Sequence, residues 1–204
     1  MNEVLVTNMY SSGLVALNWE YHGCPGAVRT ARSGYTDLAL GLGNPRAQGQ
    51  TEQAANAEIG CSGGITAAIF TDGKELGDPE TLRQIHECRR VASEEIHRTF
   101  EEDISTVPQN DWDPASSVQK LKARRAQFPM YYYTDDNKAV ALQGCRTDAI
   151  DYVRSSIEAY RSNVASNPAK YEPRRGMFLQ YLREIELALK SPTYPSRRTW
   201  WMAP

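Results

Sequence analysis

The spacing of apolar positions changes along the chain, and each change marks an element. In EVLVTNMYSSGLVALNWEY, two β-leaning runs flank Ser11-Ser12-Gly13, the composition of a turn, and predict a hairpin over residues 3–21. From Cys24 to about Asn56 the chain is rich in Gly, Ala, Arg and Gln, with GLGNP at 41–45 breaking any regular element. A long, partly irregular excursion is expected there. The period then becomes helical. Asp78-Pro79 offers an N-cap followed by proline at the first helical position, and Leu82, Ile85, Ala92, Ile96 and Phe100 fall on one stripe of a helix reaching about Asp103.

Pro108, Asn110, Asp111, Asp113 and Pro114 read as a loop before a short basic helix, ASSVQKLKARRAQF, taken as mostly solvent-facing. In PMYYYTDDNKAVAL, two strand-like runs surround Asp135, Asp136 and Asn137, which predicts a second hairpin. Gly144 and Cys145 then lead into a helix from about Thr147, with Ile150, Val153, Ile157, Tyr160 and Val164 on one face. A final helix from about Arg174 to Lys190 turns Met177, Phe178, Tyr181, Leu182, Ile185 and Leu189 inward. The expected fold class is α+β, with two β-hairpins and about four helices in a single domain over residues 1–191. An extended tail, residues 192–204, is punctuated by Pro192, Pro195 and Pro204.

Composition narrows the function classes. The 204 residues are 41% hydrophobic and 24% charged, close to ordinary globular proteins. With 23 basic and 25 acidic residues the net charge is -2, which argues against general nucleic-acid binding, since phosphate neutralisation needs a basic excess. No window approaches ~18 uninterrupted apolar residues, and no basic segment precedes an apolar run at the N-terminus. No membrane partner is expected, and the expected compartment is cytoplasmic. Cys24, Cys61, Cys88 and Cys145 are scattered rather than paired as in zinc modules, and all four are read as reduced thiols.

Three stretches suggest chemistry. The first is AANAEIGCSGGITAAIF, residues 54–70. Its order of Ala55-Asn56, Ile59, Gly63-Gly64-Ile65 and Ala68-Ile69 resembles the ADP-ribose-binding loop of macrodomains. That resemblance implies Asn56 on the distal ribose and Gly63 and Gly64 against the phosphates. The preceding residues, AQGQTEQ, lack the apolar strand that the family places there. The second is a cysteine nucleophile. Cys145 falls between a strand-like run and the expected helix start, where a thiolate would be stabilised, beside Arg146; Cys61 lies among small residues. Either needs a base, and His22, His86 and His97 are the imidazoles available, with His86 the leading candidate. The third is a metal, suggested by His22-Gly-Cys24 and His86-Glu-Cys88. His86 and His97 would stand about 16 Å apart along one helix and cannot share an ion, so no metal ligand is assigned. No motif requires a cofactor.

Arg89 falls inside the apolar stripe of its helix, which requires a carbonyl or carboxylate partner unless the side chain snorkels to the surface, the slightly favoured outcome. KLKARR at 120–125 reads as a solvated face rather than a docking patch, and Tyr131-Tyr132-Tyr133 places tyrosine on both faces of its expected strand. The terminal SRRTWWMAP carries Trp200 and Trp201, which are costly to leave in water, with Arg197 and Arg198 beside them as rim contacts. The leading functional expectation is therefore a structural or interaction subunit of a larger assembly, homo-oligomeric or not, that docks through its C-terminal tail to a protein partner or another copy. The alternatives are a cysteine-dependent hydrolase or transferase using Cys145 or Cys61, and ADP-ribose binding at residues 55–69.

Overall fold

The computed structural model describes residues 2–22, 31–37, 51–57, 62–106, 108, 111–128 and 137–191. By its internal contacts the chain divides into two units, whose main parts are Met1–His86 and Glu87–Lys190. The mixed α+β class is as expected. The expected tail, 192–204, lies outside the described residues.

Among the described residues the first unit holds six strands: β1 (Asn2–Thr7), β2 (Leu14–His22), β3 (Ala31–Asp37), β4 (Thr51–Ala57), β5 (Ser62–Phe70) and β6 (Glu75–Gly77). β1 and β4 pair antiparallel as a two-stranded sheet, and the others form a four-stranded sheet in the order β3-β2-β5-β6. The hairpin expected over residues 3–21 does not form. Leu14, Val15, Ala16 and Leu17 are buried in succession, so β2 is covered on both faces, as a central strand is. It takes β3 on one edge and β5 on the other, which leaves no edge for β1. β3 and β4 also lie within the stretch expected to be partly irregular.

The first turns of α1 (Pro79–Thr99) close this unit. Asp78 caps the helix as expected, its Oδ2 accepting from the Thr81 amide at 2.8 Å. One face of the larger sheet contributes Ala16, Ala67 and Ile69, which pack with Ile85 and Leu82 of α1. The other face gathers Leu14, Leu17, Ala68 and Phe70, with Tyr10 and Trp19 against them. A register shift between Asn18 and Trp19 places Ile65 opposite Trp19, and therefore on this second face.

The second unit continues α1 through a π-helical turn, Phe100–Ile104, into α2 (Pro114–Ala126), α3 (Asn137–Ser166), the short α4 (Pro168–Tyr171) and α5 (Arg175–Lys190). Its aromatic centre stacks Tyr160 on Phe178 with ring centroids 4.6 Å apart, and Trp112 lies 6.1 Å from Phe178. The buried Trp112 indole donates to the Ser117 hydroxyl at 2.8 Å, so no polar atom of that ring is stranded. Asp113 caps α2 by accepting from the amides of Ala115 and Ser116.

Two expectations are corrected here. α3 begins at Asn137 rather than near Thr147, so AVAL is helix and not the second strand of a hairpin. Four apolar residues carry no decisive period, and the two alanines and Leu142 are good helix formers that extend the pattern of the following turns. The tyrosine triplet lies outside the described residues. α2 is amphipathic rather than mostly solvated, because Ser117, Val118 and Leu121 are buried.

Candidate functional site

An open apolar groove of about 560 Å³ lies in the first unit. Met9, Tyr10, Ile65, Ala68, Phe70 and Leu76 define its character. Short-range chemistry places each wall. Asn8 builds a turn, its Oδ1 accepting from the Tyr10 amide at 2.9 Å and its amide nitrogen donating to the Ser12 carbonyl at 2.8 Å. This turn presents Tyr10 to Phe70 at 4.7 Å between centroids, while the Lys74 ammonium stands 4.4 Å over the same ring.

On the far side, β6 pairs Leu76 with Ala68, and Gly77 turns the chain toward α1. Gly77 has φ of 118°, and a Cβ at this position would collide with the Thr66 carbonyl and stand 2.6 Å from Ala67 Cα. Only glycine fits there. The chain between β5 and β6 is held by Asp72, which accepts from Ser12 Oγ at 2.7 Å and from the Lys74 amide at 3.0 Å. The Ser12 hydrogen bond, followed by the Lys74 amide, holds the exposed Asp72 carboxyl below its ordinary range. Met9, Ile65 and Leu76 are 77%, 43% and 44% exposed, and among the described residues only one further large hydrophobic side chain, Leu187, is similarly exposed.

The second unit assigns most of its chemically suggestive residues to architecture. Cys145 is joined to Cys88 in a disulfide between α3 and α1, with Cα atoms 5.4 Å apart. This overturns the reading of these two cysteines as reduced, and it removes Cys145 as a nucleophile in the bonded state. The dipole argument fails as well, because Cys145 lies two turns inside α3 rather than at its start. Arg89 is buried and does not snorkel. Its Nε donates to the Leu189 carbonyl at 3.1 Å and Nη2 donates to the Ala188 carbonyl, so the guanidinium caps the C-terminus of α5.

The basic run on α2 is likewise committed. Lys120 pairs with Asp103, Lys122 with Glu158, Arg125 with Asp151, and Arg124 with Glu95, Glu102 and Asp103. Glu95, only 2% exposed, also receives Arg98 at 3.7 Å and Arg146 at 3.6 Å. Arginines gathered around their own buried carboxylate are neutralised internally and form a structural node rather than an anion site.

The other candidates among the described residues each have their own surroundings. His86 is half exposed and pairs through Nε2 with Glu75 at 2.7 Å in the first unit. His97 is exposed and lies 3.3 Å from Glu186 in the second. Gly63 and Gly64 stand in the β5 ladder opposite Tyr21 and Glu20, and Asn56 lies in β4 opposite Glu3. The glycines thus occupy a strand where the macrodomain resemblance needs a phosphate loop, and a Cβ at Gly64 would meet nothing within 4 Å. Cys24, Cys61, Arg197, Arg198, Trp200 and Trp201 lie outside the described residues. Among the described residues no three His, Cys, Asp or Glu side chains converge to hold a metal ion.

The periodic reading passes over the groove. Its available signal was Asp72-Gly73 between the apolar run GITAAIF and Leu76, a turn pair that joins antiparallel strands. Met9 offered none, being a single apolar residue in a polar turn. No protein-family model, curated protein or solved structure matches this chain.

Proposed function

We propose that the protein is a structural or interaction subunit that self-associates in a larger assembly and docks through its C-terminal residues 192–204. The observation that carries this reading is the cluster of exposed Met9, Ile65 and Leu76 around one apolar groove. Single exposed apolar residues are ordinary, but a gathered set beside a concave surface marks an interaction site. The groove's volume falls in the range of ligand-sized clefts, ~300–1,000 Å³. It has an apolar lining and no converging acid, base and nucleophile, which suits recognition better than turnover.

The partner is protein, as another copy or a second chain. No helix among the described residues is long and apolar enough to cross a membrane, and the ion-paired α2 run favours no nucleic acid. The Cys88–Cys145 bond favours an oxidising compartment over the cytoplasmic one expected from the sequence. Light scattering on a size-exclusion column tests the assembly reading directly. The expected result is a mass above that of one chain that falls on dilution, and a single-chain mass across the micromolar range contradicts it.

A further inference from the structure

We infer that Asp72-Gly73 is a latent isoaspartate site, where the backbone can rearrange through a cyclic imide, and that the Ser12 hydroxyl holds it shut. Nowhere else in the sequence does Asp or Asn precede Gly. That order is the reactive one, because glycine has no side chain to hinder its own amide nitrogen as it approaches the preceding carboxyl carbon. Asp72, Gly73 and Lys74 are all exposed, so water reaches the turn.

The rearrangement has two steps, and water is its only co-reactant. In the first, the Asp72 carboxylic acid gives up its hydroxyl and the Gly73 nitrogen its proton. A bond forms between Cγ and that nitrogen as water departs. In the second, water opens the five-membered imide. Attack at Cγ restores aspartate. Attack at the main-chain carbonyl carbon of Asp72 instead breaks its bond to the Gly73 nitrogen, and the chain then runs through Cβ and Cγ.

Both reacting groups are held in the fold. The Gly73 amide donates to the Phe70 carbonyl at 3.0 Å, and the Phe70 amide donates to the Lys74 carbonyl at 3.0 Å. With Gly73 at φ 81°, this is a tight hairpin turn closed by a left-handed glycine. Asp72 Oδ1 accepts from the Lys74 amide and Oδ2 from Ser12 Oγ at 2.7 Å. The Lys74 contact is local to the turn, whereas the Ser12 contact reaches across 60 positions and exists only when the chain is folded. It is reinforced beside the turn, where the Thr71 amide donates to the Gly13 carbonyl at 2.8 Å and the Gly13 amide to Thr71 Oγ1 at 3.0 Å.

Cyclisation requires the carboxyl to leave both donors, swing toward the Gly73 nitrogen and become neutral, since a carboxylate resists attack at carbon. The Ser12 hydrogen bond, followed by the Lys74 amide, holds the carboxyl below its ordinary range and so keeps it ionised. The consequence of release falls on the strand pairing. Isoaspartate would add one atom to the main chain between Phe70 and Lys74 and disturb the closure that sets Ala68 opposite Leu76.

The test keeps full-length wild type, Ser12→Ala and Ser12→Thr folded at neutral pH for several weeks, beside wild type held unfolded in guanidinium chloride. Circular dichroism verifies the folded samples. Isoaspartate is read from the peptide that carries Asp72, by unchanged mass, separate elution and resistance to a protease that cleaves before aspartate. The unfolded chain should accumulate it fastest and folded wild type slowest. Ser12→Ala should exceed folded wild type by roughly threefold or more, through loss of one charge-assisted hydrogen bond. Ser12→Thr, which keeps a hydroxyl, should stay near wild type. Equal rates in Ser12→Ala and folded wild type overturn the role of Ser12, and so does Ser12→Thr keeping pace with Ser12→Ala. Folded wild type as fast as the unfolded chain, or an unfolded chain that forms no isoaspartate, overturns the inference without recourse to any variant.

Discussion

Removing the Cys88–Cys145 bond should destabilise the second unit by an amount set by the loop it closes. The two cysteines are separated by 57 positions in the sequence. For a loop of that length, the chain-entropy account of cross-linking gives about 4 kcal/mol at room temperature. The bond joins helices α1 and α3 at positions that are buried on both sides, so replacement by alanine also leaves a small packing defect of ~1 kcal/mol.

The assay is equilibrium urea unfolding of Cys88→Ala/Cys145→Ala beside the oxidised wild type. The second unit is followed by its helical circular dichroism and by amide exchange along α3. With a denaturant slope of ~1–2 kcal/mol per molar, the midpoint should fall by roughly 2 M or more. Wild type treated with reductant should move the same way, whereas the double variant should not respond. Alkylation under denaturing, non-reducing conditions should leave the Cys88 and Cys145 peptides unlabelled. Labelling of both, or coincident midpoints for oxidised wild type and the double variant, would refute the reasoning.

Three other outcomes follow from single contacts. Arg89→Met should cost about 2–4 kcal/mol, since two carbonyls at the end of α5 lose charge-assisted donors; a change below ~0.5 kcal/mol in urea unfolding would show that the guanidinium is not their cap. Gly77→Ala should cost more than ~2 kcal/mol through its positive φ and the Thr66 collision, read as faster amide exchange in β5 and β6, and wild-type exchange rates would count against the geometry. Ser12→Ala should raise the Asp72 carboxyl toward its ordinary value of 3.8, followed by its side-chain carbon shift in an NMR titration. Because folding depresses this carboxyl, its stabilising contribution is present above the unfolded-state value and disappears as pH falls through the folded-state one. An unchanged midpoint in the variant would mean that the serine hydrogen bond is not the cause.

Helices were legible where apolar spacing persisted over several turns. The stripe from Leu82 to Phe100 fixes α1, and Asp78-Pro79 fixes its start, because both depend on neighbours a few residues apart. α5 was readable for the same reason. The sheet was not, since pairing depends on which distant strand supplies an edge: β2 reads as a hairpin arm but is completed by β3 and β5, and β1 finds β4 far along the chain. AVAL was misassigned because four residues cannot discriminate periods. The groove escaped for a related reason, being assembled from residues 8–10, 14, 17, 65–68, 70, 76 and 77, none of which carries a motif alone.

Reactive and charged residues that stand out in the sequence acquire structural partners in the fold. Cys145 closes a bond with Cys88, Arg89 terminates α5, His86 faces Glu75, and the cations of KLKARR meet carboxylates of other segments. Each such residue is costly to bury or expose unless paired, so a partner within reach accounts for its presence without a substrate. Exposed apolar groups are different: Ile65 and Leu76, 43% and 44% exposed, obtain no comparable return from the water they face. Covering them requires another surface. The proposed interaction role would therefore use the apolar groove, the one of these features whose exposed side chains gain from being covered.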